Sequence, residues 1–333
     1  MRTLGLRTGN SLYLPLTVFL IVLLCFFLYY SSKPIQSHGQ ERILLKPPST
    51  DHSQNPELKQ VLKRASMSDR TVILTMVDEA WARPGSVLDV FLQSFKVGDG
   101  TRRFLNHLVI ITMDAQAFGY CSSLHPHCIH PSTFVHYFSP TIPNRNLLSW
   151  KKHSVLLDVL KLGYNIIFTE ADVMWLRSPL SKLNPILELS ISCNVAGAGD
   201  GYMQDGGLFF LKANAIASEF LQQWRLTKVL YPNPPVEESL CDTIMRNQDV
   251  VKWFGFRVNL VNTSHFGGFC QLNKDRLSDV YTMRANCCNN LRSKVHDLRL
   301  LLDDWINFRA HSSRKNTLEP MILKWRTPQQ CRP

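Results

Sequence analysis

The stretch Gly163–Pro179, GYNIIFTEADVMWLRSP, decides how the rest of the chain is read. Gly163 marks a turn. Tyr164, Ile166, Ile167 and Phe168 form a short apolar run rich in β-branched and aromatic residues. Such a run, bounded by turn signals, reads as a buried strand. It stops at Glu170-Ala171-Asp172. Acids two apart on an extended chain point the same way. Glu170 and Asp172 are therefore expected side by side, just past the carboxyl end of a buried strand. In an open α/β sheet that is where ligands bind. Two aimed carboxylates can hold a divalent cation, and the cation can hold a diphosphate. The plain alternative is a pair of solvated acids at a strand end.

Upstream, Arg70–Val77 (RTVILTMV) reads as the first strand and ends in Asp78-Glu79-Ala80-Trp81, a polar loop with one aromatic. Ser86–Phe95 has helical spacing. Leu105–Thr112 reads as a second strand, ending at Met113-Asp114. Trp150–Leu162 is amphipathic and reads as a helix leading into the Ile166 strand. Alternating strands and helices argue for right-handed crossovers and a mainly parallel sheet. Asp78 or Glu79, Asp114, Glu170 and Asp172 then share one rim. That is the layout of a nucleotide pocket. Asp114 is placed to meet ribose or base, and Lys151 or Lys152 to approach a diphosphate. For the two lysines the alternative is a solvated first turn of helix.

Downstream, Asn194–Gly201 carries three glycines but neither a phosphate-loop nor a dinucleotide fingerprint. In Asp205-Gly206-Gly207, two glycines before an apolar strand allow close approach of backbone to ligand, and Asp205 offers a carboxylate. Ser218–Trp224 reads as helix. Glu237-Glu238 opens another, where acids normally complement the helix dipole. Lys294-Val295-His296-Asp297-Leu298 begins a helix reaching about Phe308.

At the amino end, Leu12–Tyr30 is apolar and long enough to span a bilayer. Its end, Tyr29-Tyr30-Ser31-Ser32, is a poor signal-peptidase site, which favours an uncleaved anchor. Flanking basic residues do not decide its orientation. Residues 31–69 contain four prolines and read as a stem, with a short helix near Glu57–Arg64. The remainder suits one α/β unit without internal repeats. The formal charge is +11, with a basic cluster over Met283–Arg326. This suits an anionic ligand. No nucleic-acid motif accompanies it, so nucleic acid is not expected as a partner. Eight of the nine cysteines follow the apolar run. Pairing among them fits an oxidising lumen, with Cys121 and Cys128 the best local candidates. Their spacing is not that of a zinc site. Asn262-Thr263-Ser264 is the one glycosylation acceptor.

Taken in order, LTMVDEAWA, GTRRFLNHLVIITMDAQAF, LHPHC, GYNIIFTEADVMWLRSPL, DGG, FGGFCQ, ANCC and HDLR resemble the plant nucleotide-diphospho-sugar transferase family, grouped with glycosyltransferase family 77. The resemblance runs from about Arg70 to about Phe308. It implies a GT-A-like α/β fold with a mainly parallel central sheet, behind an N-terminal transmembrane helix. It also implies a single-pass type II Golgi membrane protein: residues 1–11 cytoplasmic, 12–30 the anchor, 31–69 the stem and 70–333 the lumenal transferase domain. The implied reaction is retaining transfer of a sugar from a nucleotide-diphospho-sugar to a glycan or glycoprotein, with Mn²⁺ or Mg²⁺, in cell-wall polysaccharide or wall-glycoprotein synthesis. Association with other Golgi transferases is compatible with it.

By resemblance, Glu170 and Asp172 fall on the metal motif, Asp205 on the segment facing the sugar, and Glu238 near the reactive face of the sugar. Three departures stand out. Glu170 replaces an aspartate, Asp78 replaces an asparagine, and Arg284 stands where a histidine is a metal ligand. Arginine cannot ligate, and it brings a permanent charge. Two outcomes follow: Arg284 takes over part of the cation's work at the diphosphate, or the domain binds without catalysing, as the partner of an active transferase.

Overall fold

The computed structural model describes residues 56–130, 147–195, 203–230, 240–241, 244, 248–253, 255–269, 277–312, 325–326 and 328–331. The anchor expected at 12–30 and the triplet Glu237-Glu238-Ser239 lie outside them. Among the described residues no helix is long and apolar enough to cross a membrane.

The alternating segments form an α/β structure. Among the described residues, helices α1 (Pro56–Ala65), α2 (Val87–Val97), α3 (Ala115–Leu124), α4 (Leu147–Lys161), α5 (Ala215–Leu230), α6 (Gln248–Trp253) and α7 (Leu291–Ser312) accompany ten strands. Strands β1 (Thr71–Val77), β2 (Leu108–Thr112), β3 (Cys128–Ile129), β4 (Asn165–Thr169), β6 (Leu189–Val195), β7 (Met203–Leu211) and β8 (Val258–Leu260) make one sheet, in the order β3-β2-β1-β4-β7-β6-β8. The four strands from β3 to β4 are parallel, as the alternating pattern predicts. β7 departs from it by running antiparallel to both β4 and β6. A second, three-stranded sheet is ordered β5 (Val173–Trp175), β10 (Thr282–Arg284), β9 (Phe266–Gly268).

Strand periodicity divides the core. Val72 and Leu74 of β1, Ile166 and Phe168 of β4, and Phe209 and Leu211 of β7 pack on one face with α1, α4 and α5. Ile73, Ile167, Leu208 and Phe210 point the other way, toward α2, α7 and the small sheet. Both faces are covered, so these strands read as near-continuous apolar runs. Each buried Leu, Ile or Phe contributes on the order of 1.5–3 kcal/mol.

Several sequence expectations shift at their edges. The predicted strand Leu105–Thr112 begins only at Leu108, because Arg102–His107 closes a 3₁₀ turn. The short helix foreseen in the stem is part of the folded body: Leu58, Val61, Leu62 and Ala65 of α1 are buried against β1 and β2. The glycines of Asp205-Gly206-Gly207 lie inside β7 rather than before it. Cys121–Cys128 is disulfide-bonded, as are Cys193–Cys241 and Cys288–Cys331.

Trp175 pins the central stretch. It is fully buried, its ring stacks on Phe95 at 4.7 Å, and its indole N–H donates to Thr169 Oγ1 at 3.3 Å. Its backbone N–H donates to Ser94 Oγ on α2. Arg177 donates from Nη1 to the carbonyls of Leu277 and Val280, with its guanidinium over Trp305. The segment after Asp172 is thus anchored on α2, on α7 and on the loop before β10.

Candidate active site

The strand order reverses at β1: β2 and β3 lie to one side of it and β4 to the other. Such a switch point leaves a crevice at the carboxyl ends of the strands. The loop after β1 brings Asp78, Glu79 and Trp81 there, the loop after β2 brings Asp114, and the turn after β4 brings Glu170 and Asp172.

Glu170 and Asp172 do not sit side by side on an extended chain, as the two-residue spacing suggested. The chain turns here, with Val173 N–H donating to Glu170 O, and the two carboxylates take different partners. Lys152 Nζ on α4 donates to Glu170 Oε1 at 2.6 Å and lies 4.0 Å from the centre of the Phe168 ring. Asp172 is buried, 1% exposed. Lys294 Nζ on α7 donates to its Oδ2 at 2.5 Å. Arg284 Nε, at the end of β10, stands 3.4 Å from its Oδ1. The Lys294 ammonium also lies 4.8 Å from the Trp81 ring centre. Burial acts to raise the Glu170 carboxyl, but Lys152, Arg284 and Lys294 together hold it below its ordinary range.

The backbone is shaped to admit Arg284. Residues 282–284 pair antiparallel with β5, setting Arg284 opposite Val173, and Ala285 N–H donates to Asp172 O. Gly207 on β7 has φ +71°, and a Cβ there would stand 2.7 Å from Arg284 Cδ and 2.8 Å from Val173 Cγ2. The Gly207 carbonyl accepts the Glu170 N–H at 2.7 Å. One glycine therefore ties β7 to the turn after β4 and leaves room for the arginine.

Asp114, expected to meet ribose or base, is held at the rim by backbone contacts of its own. It caps α3: Oδ1 accepts from Ala117 N–H at 2.7 Å, and Oδ2 accepts from Glu79 N–H at 2.8 Å. It binds two rim loops to each other. Asp78 Oδ1 accepts from Trp81 N–H and closes its own loop. Of the two lysines it is Lys152 that reaches Glu170; Lys151 is half-buried one position earlier. Asp205 is placed by its backbone, paired with Cys193 of β6; its side chain, and Glu238, lie outside the described set. His296 Nδ1 contacts Asp297 Oδ1, and Asp297 Oδ2 accepts from the N–H groups of Gln330 and Cys331. His296 and Asp297 of the HDLR segment thus hold Gln330 and Cys331 in place.

Lys294 is the residue that sequence reasoning passed over. It lies in the first turn of α7, where a cation opposes the helix dipole. A lysine in that position asks for an acid, and Asp172 is that acid.

The donor set does not fit the Mn²⁺ or Mg²⁺ expected here. Hard divalent ions take several oxygen ligands. Glu170 and Asp172 each pair with an ammonium, and Arg284 stands where the resemblance expects a histidine ligand. Among the described residues no three His, Cys, Asp or Glu side chains converge on one point.

The profile of the nucleotide-diphospho-sugar transferase family matches residues 103–298, more than half of the chain. The chain belongs to that family. Two Arabidopsis thaliana proteins, both described as uncharacterized, align at length. At4g15970 is 33% identical over 293 residues, covering 85% of this chain and 76% of that protein. At1g28695 is 34% identical over 258 residues, covering 74% and 76%. Among solved structures, a glycosyltransferase involved in glycosylation of the major capsid of PBCV-1 aligns with a TM-score of 0.42 at 9% identity, covering 68% of this chain and 99% of that one.

Proposed function

We propose that this chain is a GT-A-type glycosyltransferase that moves a hexosyl or pentosyl group from a nucleotide-diphospho-sugar, a UDP-sugar in the first instance, to a glycan or glycoprotein. Family membership supports the donor class. The observation that carries the reading is the rim itself: three cationic side chains converge on the carboxyl ends of β4 and β10, at the switch point of the sheet. Transfer breaks the bond from sugar C1 to the diphosphate oxygen. The electron pair leaves with the nucleoside diphosphate. C1 joins an acceptor hydroxyl oxygen, whose proton is released. Retention, a Golgi type II orientation, wall-polymer acceptors and association with other Golgi transferases complete the proposal. The apolar run at 12–30 and the disulfides among the described residues support a lumenal location.

Titrating the full chain with UDP and with GDP tests the reading. Binding of one, followed by release of that nucleotide from its sugar donor on adding a glycan acceptor mixture, is expected. No binding of either would overturn it. Binding without turnover would favour the second reading, a non-catalytic partner of an active transferase, which the departure of Arg284 from the ligand pattern supports.

A further inference from the structure

We infer that Asn262 carries an N-linked oligosaccharide, attached beside the outer strand of the large sheet. The site depends on the proposed lumenal location and adds a modification to it.

N-glycosylation takes an Asn-x-Ser/Thr acceptor whose middle residue is not proline. Asn262-Thr263-Ser264 meets that requirement, and the residue after it is His265. The donor is a lipid-linked oligosaccharide diphosphate of the secretory membrane. The bond from sugar C1 to the diphosphate oxygen breaks, and its electron pair leaves with the lipid diphosphate. C1 bonds to Asn262 Nδ2, and that nitrogen gives up one proton.

The folded chain presents the acceptor in a suitable way. Asn262 is exposed, just past β8, in the turn that leads to β9. Its Oδ1 accepts from the Ser264 N–H at 2.9 Å. The main chain closes the turn without Nδ2: His265 N–H donates to the Asn262 carbonyl, and Phe266 N–H to that of Thr263. Among the described residues neither Asn262 Nδ2 nor Ser264 Oγ makes a hydrogen bond. The amide is therefore held at its oxygen and available at its nitrogen, where the sugar attaches.

The sheet leaves room for the sugar. Among the described residues β8 is the outermost strand, with β6 as its one neighbour. It runs in the same direction as β4, since β6 and β4 are both antiparallel to β7. One row crosses the sheet from Leu260 through Ile191 and Phe209 to Phe168. Leu260 lies two residues before Asn262, and Phe168 two before Glu170. Asn262 and Glu170 thus leave the sheet at the same end, three strand spacings apart, roughly 14 Å. The attachment point shares the end of the sheet that holds the paired carboxylates but stands away from them. It also follows a strand whose Leu260 is 53% exposed. A bulky polar group beside an outer strand hinders its pairing with another chain.

The test uses the full chain made in a mammalian secretory cell, denatured and treated with an amidase that removes N-glycans. Treatment should increase gel mobility and leave aspartate at position 262, read from the peptide mass. Asn262→Gln and Ser264→Ala should each show the faster mobility before treatment. Ser264→Ala keeps the backbone N–H that closes the turn, so its loss of the glycan is not a loss of the turn. Thr263→Ala keeps the acceptor pair and should migrate as the wild type does. An Asn-Ser-Thr reporter on a Gly/Ser tail after Pro333 reads the compartment separately. A glycosylated reporter with a bare Asn262 would overturn the inference and keep the lumenal location. A bare reporter with a bare Asn262 would overturn both. An amidase-sensitive shift that persists in Asn262→Gln would also overturn the inference.

Discussion

Lys294 and Asp172 are 122 residues apart in the chain and 2.5 Å apart in space, Nζ to Oδ2. This contact joins the first turn of α7 to the turn that follows β4. Arg284 meets the other oxygen of the same carboxylate. A single buried acid therefore gathers two cations from separate parts of the fold, and its removal has consequences beyond chemistry.

Asp172→Ala is expected to lower stability by about 3 kcal/mol, because it leaves the Lys294 ammonium at a buried site without its acid. Chemical denaturation measures this. Adding Lys294→Met should recover part of the loss, since the ammonium is then removed together with its acid. An unchanged midpoint in Asp172→Ala would mean that the pair is not formed in solution.

Gly207→Ala should cost about 1–3 kcal/mol, because the position has positive φ and a methyl group there meets Arg284 and Val173. Displacing Arg284 should also weaken anion binding. Gly119→Ala is the matching control. It lies within α3 with open space around it, and should stabilise by about 0.5–1 kcal/mol. Thermal melting with and without UDP reads both effects.

Asp114→Ala removes a helix cap and should cost about 0.5–2 kcal/mol. Asp114→Asn retains an acceptor oxygen for the Ala117 N–H and should cost less. If Asp114 acts mainly through its two loops, the affinity for UDP should follow melting temperature across the two variants. A large loss of affinity in Asp114→Asn at unchanged stability would return Asp114 to the ribose or base contact first expected of it.

The architecture was legible in the sequence where periodicity was strong. The apolar runs at Thr71–Val77 and Asn165–Thr169 have no other reading in an alternating chain, and their shared rim follows from parallel pairing. The direction of β7 was not legible, because an apolar run such as Leu208–Leu211 says nothing of its neighbour's direction. At the site, Lys152 was found by position, with Lys151 as its alternative, and Arg284 by its departure from the family pattern. Their partners were not, since an ion pair leaves no local pattern, whether it joins Lys152 to Glu170 or Arg284 to the distant Asp172. Asp114 was found as a rim acid, but a cap and a ligand contact look alike in a sequence. Gly207 was found as a place of close approach; what approaches is this chain's own arginine.

Away from the rim, Glu188 gives a pH signature. Arg257 donates to it from its side chain and its backbone N–H, and this holds the carboxyl well below its ordinary value, at about 2, although burial opposes the shift. A carboxyl whose folded value is depressed stabilises the fold above its unfolded value. That contribution is lost as pH falls through the ordinary carboxylate range toward about 2. Melting temperature should fall across that window in the wild type. Glu188→Gln should be less stable at neutral pH and should show a shallower acid limb. Parallel acid limbs would contradict the assignment.

The most direct measurement of the central claim is release of nucleoside diphosphate from a UDP-sugar by the full chain, with acceptor present, in EDTA and then in Mn²⁺. The account predicts release that depends on the acceptor and falls about tenfold or more, about 1.4 kcal/mol or more in the barrier, in Lys294→Met. No release in EDTA or in Mn²⁺ would contradict the account.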